Sequence, residues 1–163
     1  MPPAVAIIVS RYNASVTDRL VEGAREEYAA RGGDAGALAV FDAPGSYELP
    51  TLALAAAETG RYRGIVALGC LIRGETRHDR YISEAVANGL MRVSLQTGIP
   101  VAFGVLTVEN PKQARARAGG EKGNKGREAM AAVLDSLESV EHIRRGTSPA
   151  GAADRPDKAG AAI

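Results

Sequence analysis

The residues best suited to chemistry in this 163-residue chain lie in one stretch, Gly69-Cys70-Leu71-Ile72-Arg73-Gly74-Glu75-Thr76-Arg77-His78-Asp79. It follows an apolar run, Gly64 to Leu68, and opens a helical pattern that continues to Thr97. Backbone N–H groups at a helix start lack partners, and the helix dipole is positive there. A glycine-containing turn at such a junction can therefore hold an anion. His78 is one of two histidines in the chain, and an imidazole beside an anion site can accept a proton. The combination predicts an enzyme acting on a small phosphorylated substrate. Thr76 and Asp79 also have the spacing of a capping box, so a plain capped helix is an equal reading. Glu75 fits a phosphate only if its carboxylate points away and its backbone N–H takes part.

Other segments carry groups of the same kind. Pro44-Gly45-Ser46-Tyr47-Glu48-Leu49-Pro50 is stiffened by its prolines and offers amides, an aromatic ring and a carboxylate in sequence. Such a set suits polyol hydroxyls or the N–H groups of a heterocycle. Arg11-Tyr12-Asn13 follows the first apolar run, where the Tyr12 ring can either stack on a planar ligand or cap the core. Arg117, near Lys122 and Lys125, offers a guanidinium of the shape that binds phosphate bidentately; a solvated basic loop is the plainer reading. The second histidine, His142, reads as a solvated residue near the end of the last helix. The chain has neither a G-x-x-x-x-G-K-[ST] loop nor a G-x-G-x-x-G fingerprint, and its sequence shows no metal-ligand cluster.

Elements must hold these groups in place. Val5 to Ser10, Ala35 to Phe41, Gly64 to Ile72 and Val101 to Leu106 are apolar without alternation, which predicts strands covered on both faces. Helical patterns fall at Ser15 to Arg31, Leu52 to Thr59, Asp79 to Thr97, Pro111 to Ala118 and Lys125 to Val140. Gly98-Ile99-Pro100 stops the third of these, and a basic, glycine-rich loop separates the last two. The order βαβαβαβαα predicts an α/β fold: three αβα layers around a four-stranded parallel sheet, with ligands beyond the carboxyl ends of the strands. The loops with Tyr12, Ser46, Thr76 and His78 all fall at those ends.

Composition narrows the function further. The length fits one domain with a substantial core. A formal net charge of +1 provides no field that selects nucleic acid or an acidic membrane. Aromatic residues make up 4% of the chain, with no Trp, which disfavours an RNA-stacking surface. The single cysteine, Cys70, rules out an intrachain disulfide and is expected to be buried and inert. There is no charged, apolar leader and no run of the ~18 apolar residues that a membrane span needs, so a soluble cytoplasmic protein is expected. Residues 1–145 read as one domain. From Gly146 to Ile163 apolar periodicity disappears, which predicts a disordered tail.

Taken in order, Arg11-Tyr12-Asn13, Pro44 to Pro50, Gly69 to His78, Phe103-Gly104-Val105-Leu106, Arg117-Ala118-Gly119 and Gly123-Asn124-Lys125-Gly126 resemble the lumazine synthase family. The resemblance spans about Val5 to Ile143, and Arg-Gly-x-Thr-x-His together with Gly-Asn-Lys-Gly makes it specific. It implies a flavodoxin-like sheet and a reaction. 5-Amino-6-(D-ribitylamino)uracil would condense with 3,4-dihydroxy-2-butanone 4-phosphate to give 6,7-dimethyl-8-ribityllumazine, phosphate and water, the penultimate step of riboflavin biosynthesis. Neither metal nor organic cofactor is implied. By the same resemblance Tyr12 would stack on the pyrimidine, and Ser46, Tyr47 and Glu48 would hold its edge and the ribityl chain. Cys70, Leu71, Ile72 and Phe103 would wall the pocket. Glu75, Thr76 and Arg117 would bind the phosphate, His78 would transfer the proton, and Lys125 and Glu128 would support the site.

The resemblance also implies a homopentamer with active sites between adjacent subunits, pentamers that in some members pack into a larger shell, and riboflavin synthase as a candidate partner. Two cues on assembly conflict. The first strand begins within a few residues of the start, without the longer segment that in many members adds a strand to a neighbour, whereas Arg117 to Lys125 has no insertion and is compatible with a shell. Two departures from the family pattern stand out: Tyr12 replaces the commoner Phe or Trp, and Glu75 replaces a small residue. Three other readings compete: a relative of archaeal-type riboflavin synthase, a non-catalytic lumazine- or flavin-binding shell protein, and a nucleotide-binding α/β module, which the missing dinucleotide fingerprint weakens. The phosphate elements Thr76 and Arg117 disfavour the first, and His78 disfavours the second.

Overall fold

A computed structural model describes residues 2–148. The expected tail beyond Ser148 lies outside the described residues. Four parallel strands, β1 (Val5–Ser10), β2 (Leu38–Ala43), β3 (Gly64–Ile72) and β4 (Val101–Val108), form one sheet in the order β2-β1-β3-β4. Helices α1 (Ala14–Ala30) and α5 (Lys125–Arg145) cover one face, and α2 (Leu49–Glu58) and α3 (His78–Thr97) cover the other. This is the expected three-layer α/β arrangement.

The inner strands show why the chain folds this way. Val5, Ile7 and Val9 of β1 pack toward Leu20, Ala24, Tyr28 and Met130. Ala6 and Ile8 pack toward Leu49, Ala53, Val86 and Leu90 on the opposite face. Burying one such Val or Ile side chain contributes about 1.5–3 kcal/mol, so a strand apolar on both sides is secure only between two helical layers. β1 and β3 match the sequence expectation residue for residue. Among the described residues no helix is long and apolar enough to cross a membrane.

Several expectations are corrected. β2 starts at Leu38, not Ala35, because Ala35–Ala37 is a 3-10 turn: the Asp34 carboxylate accepts from the Gly36 N–H at 2.9 Å. β2 and β4 are edge strands and are not covered on both faces; Phe41 is 40% exposed and Phe103 41% exposed. α2 begins earlier than expected, with Pro50 in its first turn, where a missing N–H costs nothing. α4 (Pro111–Ala116) is shorter than expected. The glycine-rich segment is not a simple loop, because Ala118–Gly120 (β5) pairs antiparallel with Gly123–Asn124 (β6). α5 runs five residues past Val140, and Gly146 closes it in a left-handed conformation, its N–H donating to Ile143 O at 3.1 Å.

Candidate active site

Three strand-end loops converge at the carboxyl edge of the sheet around a cleft of about 410 Å³. The loop after β1 is fixed first. Asn13 has φ 59° and ψ 45°, a left-handed conformation that Asn tolerates better than most residues. Its carbonyl accepts from the N–H groups of Val16 and Thr17 at 2.8 and 3.1 Å, starting α1. Its side-chain amide donates to the Cys70 carbonyl at 2.8 Å. Sequence reasoning treated Asn13 only as a neighbour of Tyr12 and missed this bridge. The available signal was an Asn between a strand end and a helix start. Tyr12, 74% exposed, has its N–H held by Ser10 Oγ at 3.2 Å and leans on the cleft.

The loop after β2 supplies Ser46, Tyr47 and Glu48, which form a 3-10 turn leading directly into α2. All three line the cleft. Ser46 is 4% exposed, and its Oγ has no hydrogen-bond partner among the described residues. A buried hydroxyl left unpaired costs free energy. Gly69 makes room for it: a Cβ there would lie 2.6 Å from Ser46 Oγ.

The end of β3 brings Cys70, Leu71 and Ile72 to the same cleft, the loop after it brings Thr76, and the start of α3 brings His78, with Asp79 and Ile82 beyond. Cys70 is buried, and desolvation pushes its thiol up to about 11. It is therefore a neutral wall residue, as expected. The capping box is corrected. α3 begins at His78 with Arg77 as its N-cap, and no side chain caps it. Thr76 thus lies outside the helix, and the first amides of α3 remain without a side-chain partner. Glu75 is exposed and is not part of the cleft wall.

The other predicted residues lie elsewhere in the chain. Phe103 sits on edge strand β4 opposite Ala67, three positions before the Cys70–Leu106 pair. Arg117 is exposed at the end of α4, with only a long 3.5 Å contact from Nη1 to Gln113 O. Lys125 Nζ pairs with Glu128 Oε2 at 3.0 Å on the first turn of α5. None of these four lines the cleft, and among the described residues no Lys or Arg does. Within Gly123-Asn124-Lys125-Gly126, Asn124 and Gly126 serve the fold. Asn124 Oδ1 accepts from Gly126 N and Arg127 N at 2.9 and 3.2 Å, while its Nδ2 donates to Arg19 O at 2.8 Å. Gly126 has no alternative there, because a Cβ would fall 1.8 Å from Leu20 O. His142 pairs with Thr147 Oγ1 at 3.0 Å and takes no part in the cleft.

A larger cavity, about 690 Å³, opens at the opposite edge of the sheet near the ends of α2, α3 and α5. None of the predicted site residues lines it, and in parallel sheets ligands bind at the carboxyl edge. The smaller cleft is the better candidate despite its size.

Residues 3–141 match the family model described as 6,7-dimethyl-8-ribityllumazine synthase. The chain belongs to the 6,7-dimethyl-8-ribityllumazine synthase family. It is 50% identical over 126 residues to the 6,7-dimethyl-8-ribityllumazine synthase of Xanthomonas oryzae pv. oryzae, covering 76% of this chain and 82% of that protein. It is 49% identical over 125 residues to 6,7-dimethyl-8-ribityllumazine synthase 1 of Caulobacter vibrioides, covering 77% and 82%. The corresponding protein of Deinococcus radiodurans is 45% identical over 140 residues, covering 86% and 90%.

Proposed function

We propose that this chain is a 6,7-dimethyl-8-ribityllumazine synthase. It condenses 5-amino-6-(D-ribitylamino)uracil with 3,4-dihydroxy-2-butanone 4-phosphate, with loss of phosphate and water, and so serves riboflavin biosynthesis. The observation that carries the reading is one cleft holding the Ser46-Tyr47-Glu48 turn, Thr76 and His78 in a chain of that family.

The two substrates divide the cleft. The pyrimidine ring rests against Tyr12, walled by Cys70, Leu71 and Ile72, with its ribityl hydroxyls toward Ser46 and Glu48. The phosphorylated ketone lies over the start of α3, where Thr76 and the backbone N–H groups of the Glu75-Thr76 turn meet its phosphate. The amine attacks the ketone and expels water to form an imine. Phosphate is then eliminated to leave a carbonyl, and the second amine adds to that carbonyl and expels a second water, closing the ring. His78, between the two substrates, moves the proton. Holding two reactants in register supplies most of the acceleration, up to ~7–11 kcal/mol in favourable cases, and a general base adds about 10²–10⁴-fold.

A dianionic phosphate needs a cation, and among the described residues of one chain no Lys or Arg lines the cleft. Arg117 and Phe103, both exposed, would supply the charge and the remaining wall from an adjacent subunit of a homopentamer. Exposed Tyr81, Met91 and Leu95 on α3 add apolar surface of the kind that association covers. Residues 1–145 act as one catalytic unit. Mixing H78A and R117A subunits tests the shared site. Activity well above either parent supports it, and activity equal to the parents' mean removes Arg117 from the neighbour's cleft.

A further inference from the structure

Two arginines leave the two inner strands in the same way. Arg11 follows β1, and its N–H donates to the carbonyl of Ala43, the last residue of β2, at 2.9 Å. Arg73 follows β3, and its N–H donates to the carbonyl of Val108, the last residue of β4, at 2.8 Å. Each guanidinium then meets an acid beside that outer-strand end. Arg11 Nη1 lies 2.6 Å from Asp18 Oδ1 in α1 and 4.0 Å from Asp42 Oδ1 in β2. Arg73 Nη1 lies 2.8 Å from Glu109 Oε2, just past β4. The hydrogen bond that Arg73 donates to Glu109 chiefly raises the Arg73 pKa, and the Asp79 charge in the first turn of α3 adds to it. The pattern thus occurs twice, once for each inner strand.

The two loops that follow these arginines bracket the cleft. Tyr12 and Asn13 come after Arg11, and Gly74 to His78 come after Arg73. From Gly74 to Arg77 no side chain makes a hydrogen bond among the described residues, and a Cβ at Gly74 would meet nothing within 4 Å. Arg73 is therefore the last anchored residue before the anion-receiving turn. Neither arginine lines the cleft.

We propose that Arg11 and Arg73 are paired positioning residues: Arg11 clasps the loop that receives the ring substrate, and Arg73 clasps the loop that receives the phosphorylated one. This rests on the proposed condensation. A solvated ion pair with no bearing on the site would leave both loops and both KM values alone, and general loosening would move both together. The clasps predict a crossed pattern.

The test is steady-state kinetics of R11A and R73A with each substrate varied in turn, alongside amide hydrogen exchange of the same proteins without substrate. R73A should raise KM for the phosphorylated ketone about fivefold, the upper range for an exposed ion pair, and leave KM for the aminopyrimidine unchanged. R11A should do the reverse. E109Q should follow R73A, D18N should follow R11A, and R73K should recover part of the loss. Exchange should quicken over 74–79 in R73A and over 12–17 in R11A. Equal shifts of both KM values, or exchange unchanged in both loops, overturn the inference. If the unmodified protein forms no lumazine, the condensation reading fails instead, and the exchange pattern still decides the clasps.

Discussion

The side-chain amide of Asn13 donates to the backbone carbonyl of Cys70 at 2.8 Å, tying the loop after β1 to the end of β3. Tyr12 and the wall residues Leu71 and Ile72 therefore have a fixed separation, which a stacked ring requires. Two effects meet at Asn13, a hydrogen bond and a left-handed backbone. N13A loses both and should cost about 2 kcal/mol, whereas N13G keeps the backbone and should cost about 1 kcal/mol. Urea denaturation measures both variants. Equal costs would show that the backbone conformation carries no strain for Ala.

Ser46 should separate stability from binding. Its buried Oγ has no partner among the described residues, so S46A removes an unsatisfied group and should leave stability unchanged or raise it by up to about 1 kcal/mol. The same variant should weaken binding of the ribityl-bearing substrate, read as a higher KM. A large loss of stability with normal KM would make Ser46 a structural residue only.

His78 and Arg117 should fail in different ways. H78A should slow turnover by about 10²-fold without abolishing it, since positioning survives the loss of a general base. R117A should chiefly raise KM for the phosphorylated ketone. Stopped-flow absorbance for the first variant and substrate titration for the second measure these effects. Unchanged turnover in H78A would remove the imidazole from the mechanism.

Cys70 sets a pH dependence. Its thiol is pushed up to about 11 by burial from the ordinary value of 9.0, so between those values the native state holds a proton that the unfolded chain has released. Stability is full below about pH 9 and falls as pH rises toward 11. C70A should flatten that part of the profile, as measured by thermal melts from pH 8 to pH 11. In the folded protein at pH 8 a thiol reagent should label Cys70 only slowly and react at once after denaturation.

The fold was readable where local signals were one-sided. β1 and β3 are continuous apolar runs ended by Arg11 and Arg73, and their limits agree with the structure. The start of β2 was not, because Ala35 and Ala37 look like strand residues until the Asp34 carboxylate captures Gly36. The β5–β6 hairpin was hidden because its pairing joins glycine-rich segments with no apolar alternation. For the site, Tyr12, Ser46, Thr76 and His78 were legible as residues at strand ends, where a parallel sheet binds ligands. Asn13 was not, because its partner Cys70 lies 57 positions away. Motif spacing likewise concealed that Asn124 and Gly126 serve the α1–α5 contact.

The most direct measurement follows lumazine absorbance and released phosphate together after the purified protein is mixed with 5-amino-6-(D-ribitylamino)uracil and 3,4-dihydroxy-2-butanone 4-phosphate. The account predicts that both signals rise together, one phosphate per lumazine, well above the rate without protein and far more slowly with H78A. Product formation no faster than the protein-free reaction, or equal rates for H78A and the unmodified chain, would contradict it.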